Sequence, residues 1–230
     1  MIKIEINIEG FLRKMKRSDK ANLAHKILNR IYKKVPIPLK HRNKFELVVA
    51  VLLSAQCTDE RVNQVTPILF KKANTAQKMI KVPRNTIYKI IRPCGLAPQK
   101  SKAIYDLSRI LVKKFKGKVP ESFEELEKLP GVGHKTASVV MSQGFGHPAF
   151  PVDTHIHRLA QRWGLTNGKN VVQTEKDLKF LFPKKSWNKL HLQIIFYGRE
   201  YCQARYCYGL ECEICKACNP KRKTKIITKK

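Results

Sequence analysis

Leu129-Pro130-Gly131-Val132-Gly133-His134-Lys135-Thr136-Ala137 stops one helix and starts another within nine residues. Glu124, Leu126 and Leu129 close a charged, amphipathic run, and Pro130 has no N–H with which to continue the ladder. Gly131 and Gly133 allow backbone angles and close approaches that a Cβ would block. The stretch therefore predicts a helix-turn-helix junction. Backbone N–H groups at Val132, Gly133 and the new helix start are expected to point outward, at the positive end of the helix dipole. Such a nest suits a phosphate. A bare Gly-x-Gly is usually an ordinary connection between packed helices. Two features set this one apart: Lys135 in the first turn of the new helix and, 18 residues after it, the carboxylate of Val152-Asp153-Thr154-His155. An amine nucleophile and an acid partner are thus expected beside a phosphate-sized nest.

Outward from the junction, the pattern is helical almost throughout. Apolar residues recur at spacings of three and four over 21–34, 45–56, 60–72, 85–91, 100–115, 122–129, 135–143, 153–163, 171–182 and 187–201. Proline and glycine punctuate the gaps, as at Pro36, Pro83, Gly95, Gly117, Pro148, Gly164 and Pro183. The chain reads as all-α, and its 230 residues, 43% of them hydrophobic, can bury one good core or two small ones. Only Met1 to Ile6 alternates like a short strand, or forms a loose arm.

Lys and Arg number 47 against 17 Asp and Glu, a formal net charge of +30. A solvated surface does not require that imbalance, so a polyanionic partner is expected. Membrane lipid is the other candidate, but no stretch approaches the roughly 18 apolar residues needed to span a bilayer, and the N-terminal residues carry no signal-peptide core. The sequence is read as cytoplasmic, where a reducing environment argues against disulfides among its seven cysteines. Residues 220–230 hold six basic side chains and no acidic one, and are expected to form a flexible tail that adds affinity for nucleic acid.

Cys202, Cys207, Cys212, Cys215 and Cys218 fall within 17 residues, separated by four, four, two and two positions. Closely spaced thiolates with one more upstream suit an iron–sulfur cluster; a four-cysteine zinc site and a loop without metal are the competing readings. Five candidates for four positions leave the ligand set open. Cys57 and Cys94 stand apart and read as small buried hydrophobes.

Over about residues 20 to 218, FELVVAVLLSAQ at 45–56 with Thr58-Asp59, Gly95-Leu96 with Lys100, LPGVGHKTA at 129–137, VDTHIHRLAQRWG at 152–164, and Gly198-Arg199 with Cys202 follow one another in order. Together they resemble the endonuclease III family of base-excision DNA glycosylases. The resemblance implies two helical domains: a six-helix domain over 37–151 with a helix-hairpin-helix, and a second formed by 1–36 and 152–219 with an iron–sulfur-type cysteine loop, followed by the basic tail at 220–230. Duplex DNA containing damaged bases or abasic sites would lie in a cleft between them. It further implies a bifunctional, monomeric, bacterial-type enzyme, cytoplasmic and nucleoid-associated, that excises damaged bases, oxidised pyrimidines above all, and nicks the abasic site by β-elimination.

Carried over residue by residue, the resemblance makes Lys135 the nucleophile and Asp153 the catalytic carboxylate. Gly131 and Gly133 would bind phosphate through backbone N–H groups, with His134 beside them where the family commonly has arginine. Gln56 would fill the gap left by the everted nucleotide, and Leu96 would wedge into the opposite strand. Cys202, Cys212, Cys215 and Cys218 would hold a [4Fe–4S] cluster, with Cys207 as the alternative fourth ligand. The cysteine spacing departs from the family's, since nine residues separate Cys202 from Cys212 and only two separate Cys215 from Cys218.

Two other functions compete. A monofunctional mismatch glycosylase would lack the nucleophilic lysine, and a non-catalytic helix-hairpin-helix DNA-binding module would leave Asp153 without a task. His155 and His157 have no third ligand nearby in sequence and are read as hydrogen-bonding or packing residues. Lys102 and Asp106 are read as a solvated pair one helical turn apart.

Overall fold

The computed structural model describes residues 15–228, so the alternation at Met1 to Ile6 lies outside the described residues. Those residues form α-helices and no β-strand. In chain order the helices are α1 (Arg17–Ile31), α2 (Lys44–Leu53), α3 (Asp59–Lys72), α4 (Ala76–Met79), α5 (Arg84–Ile91), α6 (Ala97–Phe115), α7 (Phe123–Glu127), α8 (His134–Val139), α9 (Thr154–Trp163), α10 (Val171–Leu181), α11 (Trp187–Glu200) and α12 (Glu213–Cys218). The short α4 carried no sequence signal of its own. The helix expected over 135–143 is α only as far as Val139 and continues as a π-turn over Val140–Gly144.

The chain divides into two compact units. One comprises Lys34–Asp153 and Lys184–Leu192. At its centre runs α2, apolar from Leu47 onward and buried from Phe45 to Leu53, as a helix with so little polar surface must be. Asn43 caps it by accepting the Glu46 N–H at 2.9 Å, and the buried Glu46 carboxylate accepts from the Arg42 N–H at 2.7 Å and from Arg42 Nη2 at 2.9 Å. Around α2 pack Val62, Leu69, Ile87, Ile104, Leu126 and Val140 from the neighbouring helices, all fully or almost fully buried. Residues 184–192, expected with the second domain, are grouped here; Asn188 Oδ1 accepts the Ala149 N–H at 3.0 Å.

The other unit contains the described residues up to Lys33, Thr154–Pro183 and those from Gln193 onward. Its interior mixes Leu28, Ile156, Trp163 and Tyr197 with buried Arg158, Arg162, Thr174 and Gln193. Gln193 Nε2 donates to the Tyr32 carbonyl at 2.9 Å, and Arg158 Nη2 donates to the Gly198 and Cys202 carbonyls at 3.0 and 3.1 Å. His157 Nδ1 lies 2.8 Å from Thr174 Oγ1, and His155 Nδ1 lies 3.3 Å from Arg158 Nη2. The basic segment after Pro220, expected to be loose, is tied down as far as Ile226. Arg222 donates to the Arg162 and Gly209 carbonyls, and the Ile226 N–H donates to the Tyr208 carbonyl.

Candidate active site

The glycine junction joins α7 to α8. Ser122 caps α7 by accepting the Glu125 N–H. Beyond α7, the Val132 N–H donates to the Leu129 carbonyl at 3.0 Å, so this group, expected to face outward, is already spent inside the turn. Gly131 sits at φ +77°, and a Cβ there would lie 2.7 Å from Leu52 Cδ1 and 2.9 Å from Ala103 Cβ. Angle and space both require glycine. Gly133, at φ −92°, is the N-cap of α8 and brings no capping side chain; a Cβ there would meet nothing within 4 Å. The open surface at Gly133 lets another backbone approach the first turn of α8, where uncapped N–H groups favour an anion. His134 is anchored at this point, its Nδ1 2.8 Å from Glu127 Oε1 and its ring stacked on Phe123.

Lys135, the second residue of α8, is exposed, and Asp153 is half-buried just before α9 begins. His191, on the first part of α11, responds to both. Burial is the largest influence and pushes its imidazole down to about 4; the Asp153 carboxylate opposes that shift and the Lys135 ammonium adds to it. The two residues expected to carry the chemistry therefore share the surroundings of one neutral imidazole. His191 Nδ1 lies 3.2 Å from the Trp187 carbonyl, which places the proton on Nδ1 and leaves Nε2 with a lone pair; that Nε2 is buried and has no hydrogen-bond partner among the described residues. Sequence reasoning missed His191, because nothing in its spacing links it to the glycine junction.

Gln56 and Leu96 come from two loops, and each occupies the left-handed region, at φ 53° and 50°. Both are exposed, Leu96 by 46% of its surface. A leucine held at positive φ and facing solvent is strained and apolar where the fold gains nothing from it, as a residue poised for a ligand would be. Lys100 ties the two loops together. Its buried ammonium donates to the Leu53 and Ala55 carbonyls, on the Gln56 side, at 2.9 and 2.8 Å, and to the Cys94 carbonyl, on the Leu96 side, at 2.9 Å. Burial lowers the Lys100 pKa. Next to it, burial and then Cys57 push the Cys94 thiol up to about 11.

In the other unit, Cys202, Cys207, Cys212 and Cys215 bring their sulfurs within 4.8 Å of one another, all four buried. Cys207 thus stands where Cys218 was expected, and the local geometry explains the exchange. Cys212 caps α12 and Cys215 lies one turn on; Cys218 lies another turn beyond, about 4.5 Å further along the axis. Its thiol donates instead to the Lys20 carbonyl at 3.6 Å. Between Cys207 and Cys212, Tyr208 and Gly209 take positive φ in succession, at 46° and 84°, and turn the chain back. Around the four thiols, Arg162 Nη1 approaches Cys202 Sγ at 3.4 Å, and the Cys212 N–H donates to Cys207 Sγ at 3.4 Å.

A helical fold built around a glycine hairpin, with a lysine at the head of the second hairpin helix and an aspartate nearby, defines a class. The chain belongs to the HhH-GPD superfamily of base excision DNA repair proteins, which it matches over residues 49–184, and within it to the endonuclease III family. Endonuclease III of Bacillus subtilis is 44% identical over 186 residues, 80% of this chain and 85% of its own length. Endonuclease III of Synechocystis sp. is 39% identical over 213 residues, 92% of this chain and 97% of its own. Among solved structures, a non-covalent endonuclease III–DNA complex superimposes with a TM-score of 0.82 at 39% identity, covering 87% of this chain and 94% of that one. A trapped endonuclease III–DNA covalent intermediate, an estranged-adenine complex, also gives 0.82 at 39% identity, over 88% and 99%. Among the described residues, no helix is long and apolar enough to cross a membrane.

Proposed function

We infer that this chain is a bifunctional DNA glycosylase and abasic-site lyase acting on duplex DNA that contains damaged bases, with oxidised pyrimidines its principal substrates. The observation that carries the reading is the placement of Lys135 and Asp153 around His191, beside the hairpin whose Gly133 face is open. A relative captured as a covalent intermediate on DNA supports it.

The damaged nucleotide must leave the stack before C1′ can be reached, at a cost of a few kcal/mol that is smallest for a poorly stacked base. Gln56 enters the vacated space and Leu96 wedges into the opposite strand, while Lys100 holds their loops in register. Gly131, Gly133 and the head of α8 grip the strand through backbone N–H groups, with His134 alongside. The Lys135 amine, once its ammonium proton has passed to solvent, attacks C1′, and the C1′–N bond breaks with its electron pair leaving on the base. Asp153 stabilises the positive charge that develops on the sugar and carries protons. Opening of the sugar ring leaves an imine between Lys135 and C1′. Removal of a C2′ proton expels the 3′ phosphate and nicks the strand on the 3′ side. Because its imidazole stays neutral, His191 does not place a second cation against Lys135.

The resemblance also implies a [4Fe–4S] cluster on the cysteine loop. A cubane puts each thiolate on a different iron and spreads the four sulfurs to about 6.4 Å apart, wider than the 4.8 Å within which the four sulfurs lie. The loop is given a structural task, and no step of the reaction runs through it.

Borohydride reduction on an abasic-site duplex, with base release followed in parallel on a duplex carrying an oxidised pyrimidine, tests the reading. Wild-type protein becomes covalently linked and nicks the strand, Asp153→Asn keeps duplex binding with base release slowed by 100-fold or more, on the order of the loss for a removed acid–base group. Base release without trapping would point to the monofunctional glycosylase, and binding without either reaction to the DNA-binding module.

A further inference from the structure

We propose that the cysteine loop holds a single tetrahedral zinc ion through Cys202, Cys207, Cys212 and Cys215. Around one zinc at about 2.3 Å from each sulfur, tetrahedral geometry sets the sulfurs about 3.8 Å apart. The Cys207 and Cys215 sulfurs lie 3.8 Å apart and those of Cys202 and Cys215 3.9 Å apart, with all four inside 4.8 Å. A cubane needs separations of about 6.4 Å. Widening the site to that distance would break the close packing of all four buried thiols.

The sequence supplies the matching arms. Cys202 to Cys207 has four intervening residues and Cys212 to Cys215 has two, both within the range of about two to four that structural zinc arms use. The left-handed pair Tyr208-Gly209 reverses the chain between the arms so that they face each other. At φ +84° Gly209 suits only glycine, and a Cβ there would push aside the Arg222 guanidinium, 2.8 Å from Nη1. Four thiolates around a divalent ion leave a net charge of −2, and the surroundings answer it. Buried Arg162 approaches Cys202 Sγ, the Cys212 N–H points at Cys207 Sγ, and Arg222 crosses behind the loop to the Gly209 carbonyl. Such contacts orient the ligands and stabilise their charge. The fifth cysteine, Cys218, is outside the set, with its thiol turned to Lys20. The departure from the family's cysteine spacing thus changes which metal the loop accepts, and the Lys135 chemistry is independent of it.

The test is metal analysis of the full chain produced in medium containing both iron and zinc and purified without oxygen. One zinc per chain, no absorption near ~400 nm and unchanged metal content after exposure to air are expected, because zinc has no redox chemistry. Replacement of zinc by cobalt should give the visible bands of a tetrahedral all-thiolate site. Cys218→Ser should keep the full metal content and Cys207→Ser should lose it. If Cys207→Ser does not fold, the wild-type stoichiometry and the cobalt spectrum still decide. Four irons per chain with a brown colour, a single iron, no metal, or metal retained by Cys207→Ser and lost by Cys218→Ser would each overturn the proposal.

Discussion

The two units solve the same packing problem with different materials. The hairpin unit is organised by hydrocarbon: α2 is buried on all sides and the helices around it contribute aliphatic side chains. In the cysteine-loop unit, buried guanidinium and amide groups hold backbone carbonyls in place, and four thiols converge where an apolar cluster would otherwise sit. Hydrocarbon packing degrades gradually when trimmed, whereas a buried donor removed from its acceptors leaves them unsatisfied at once. The second unit should therefore fail more abruptly.

Arg162 offers the largest expected effect. Its Nη1 donates to the Gln203 carbonyl and its Nη2 to the Ala204 carbonyl, both at 2.8 Å, besides approaching Cys202. Arg162→Met should lower stability by about 4 kcal/mol through stranded buried acceptors, read by denaturant unfolding, and should release metal. In the hairpin unit, Lys100→Met strands three carbonyls of two loops, with a loss of about 3 kcal/mol. Because those loops carry Gln56 and Leu96, activity should fall more on a fully paired lesion than on a mismatched one. Equal losses on both would reduce Lys100 to packing.

His191 ties stability to pH. Its imidazole is near 4 when folded against 6.5 in the open chain, so between those values the unfolded state binds the extra proton. The contribution is complete above about pH 6.5 and falls by about 3 kcal/mol as pH drops towards 4. Thermal melts across that range should show the slope, and His191→Gln should flatten it. The smallest effects separate the two glycines. Gly131→Ala meets Leu52 and Ala103 at a positive φ and should cost about 2 kcal/mol. Gly133→Ala should leave stability within about 0.5 kcal/mol, as for a surface change, while weakening DNA binding.

What the sequence disclosed followed from local rules. The glycine hairpin, the largely apolar α2 and the helical periods are written in neighbouring residues, and so were legible. The stretch at 184–192, the Lys100 clamp and His191 depend on contacts between segments 38 or more residues apart, which no period or motif announces. Cys207 was ranked only as the alternative to Cys218 for a related reason. Its place is set by two left-handed residues, of which only the glycine at 209 signals the turn, while Tyr208 adopts the same region against its own preference. The segment after Pro220 looked loose because charge suggests solvation, yet Arg222 and Ile226 fasten it to the loop.

The central claim is that one amine, on Lys135, forms the covalent link to DNA. The most direct measurement is peptide mapping by mass spectrometry of the borohydride-reduced adduct formed on an abasic-site duplex. The sugar remnant should be found on Lys135 alone, and Lys135→Ala should give no adduct and no nick while still binding the duplex. An adduct mapped to any other lysine, or undiminished trapping by Lys135→Ala, would contradict the account.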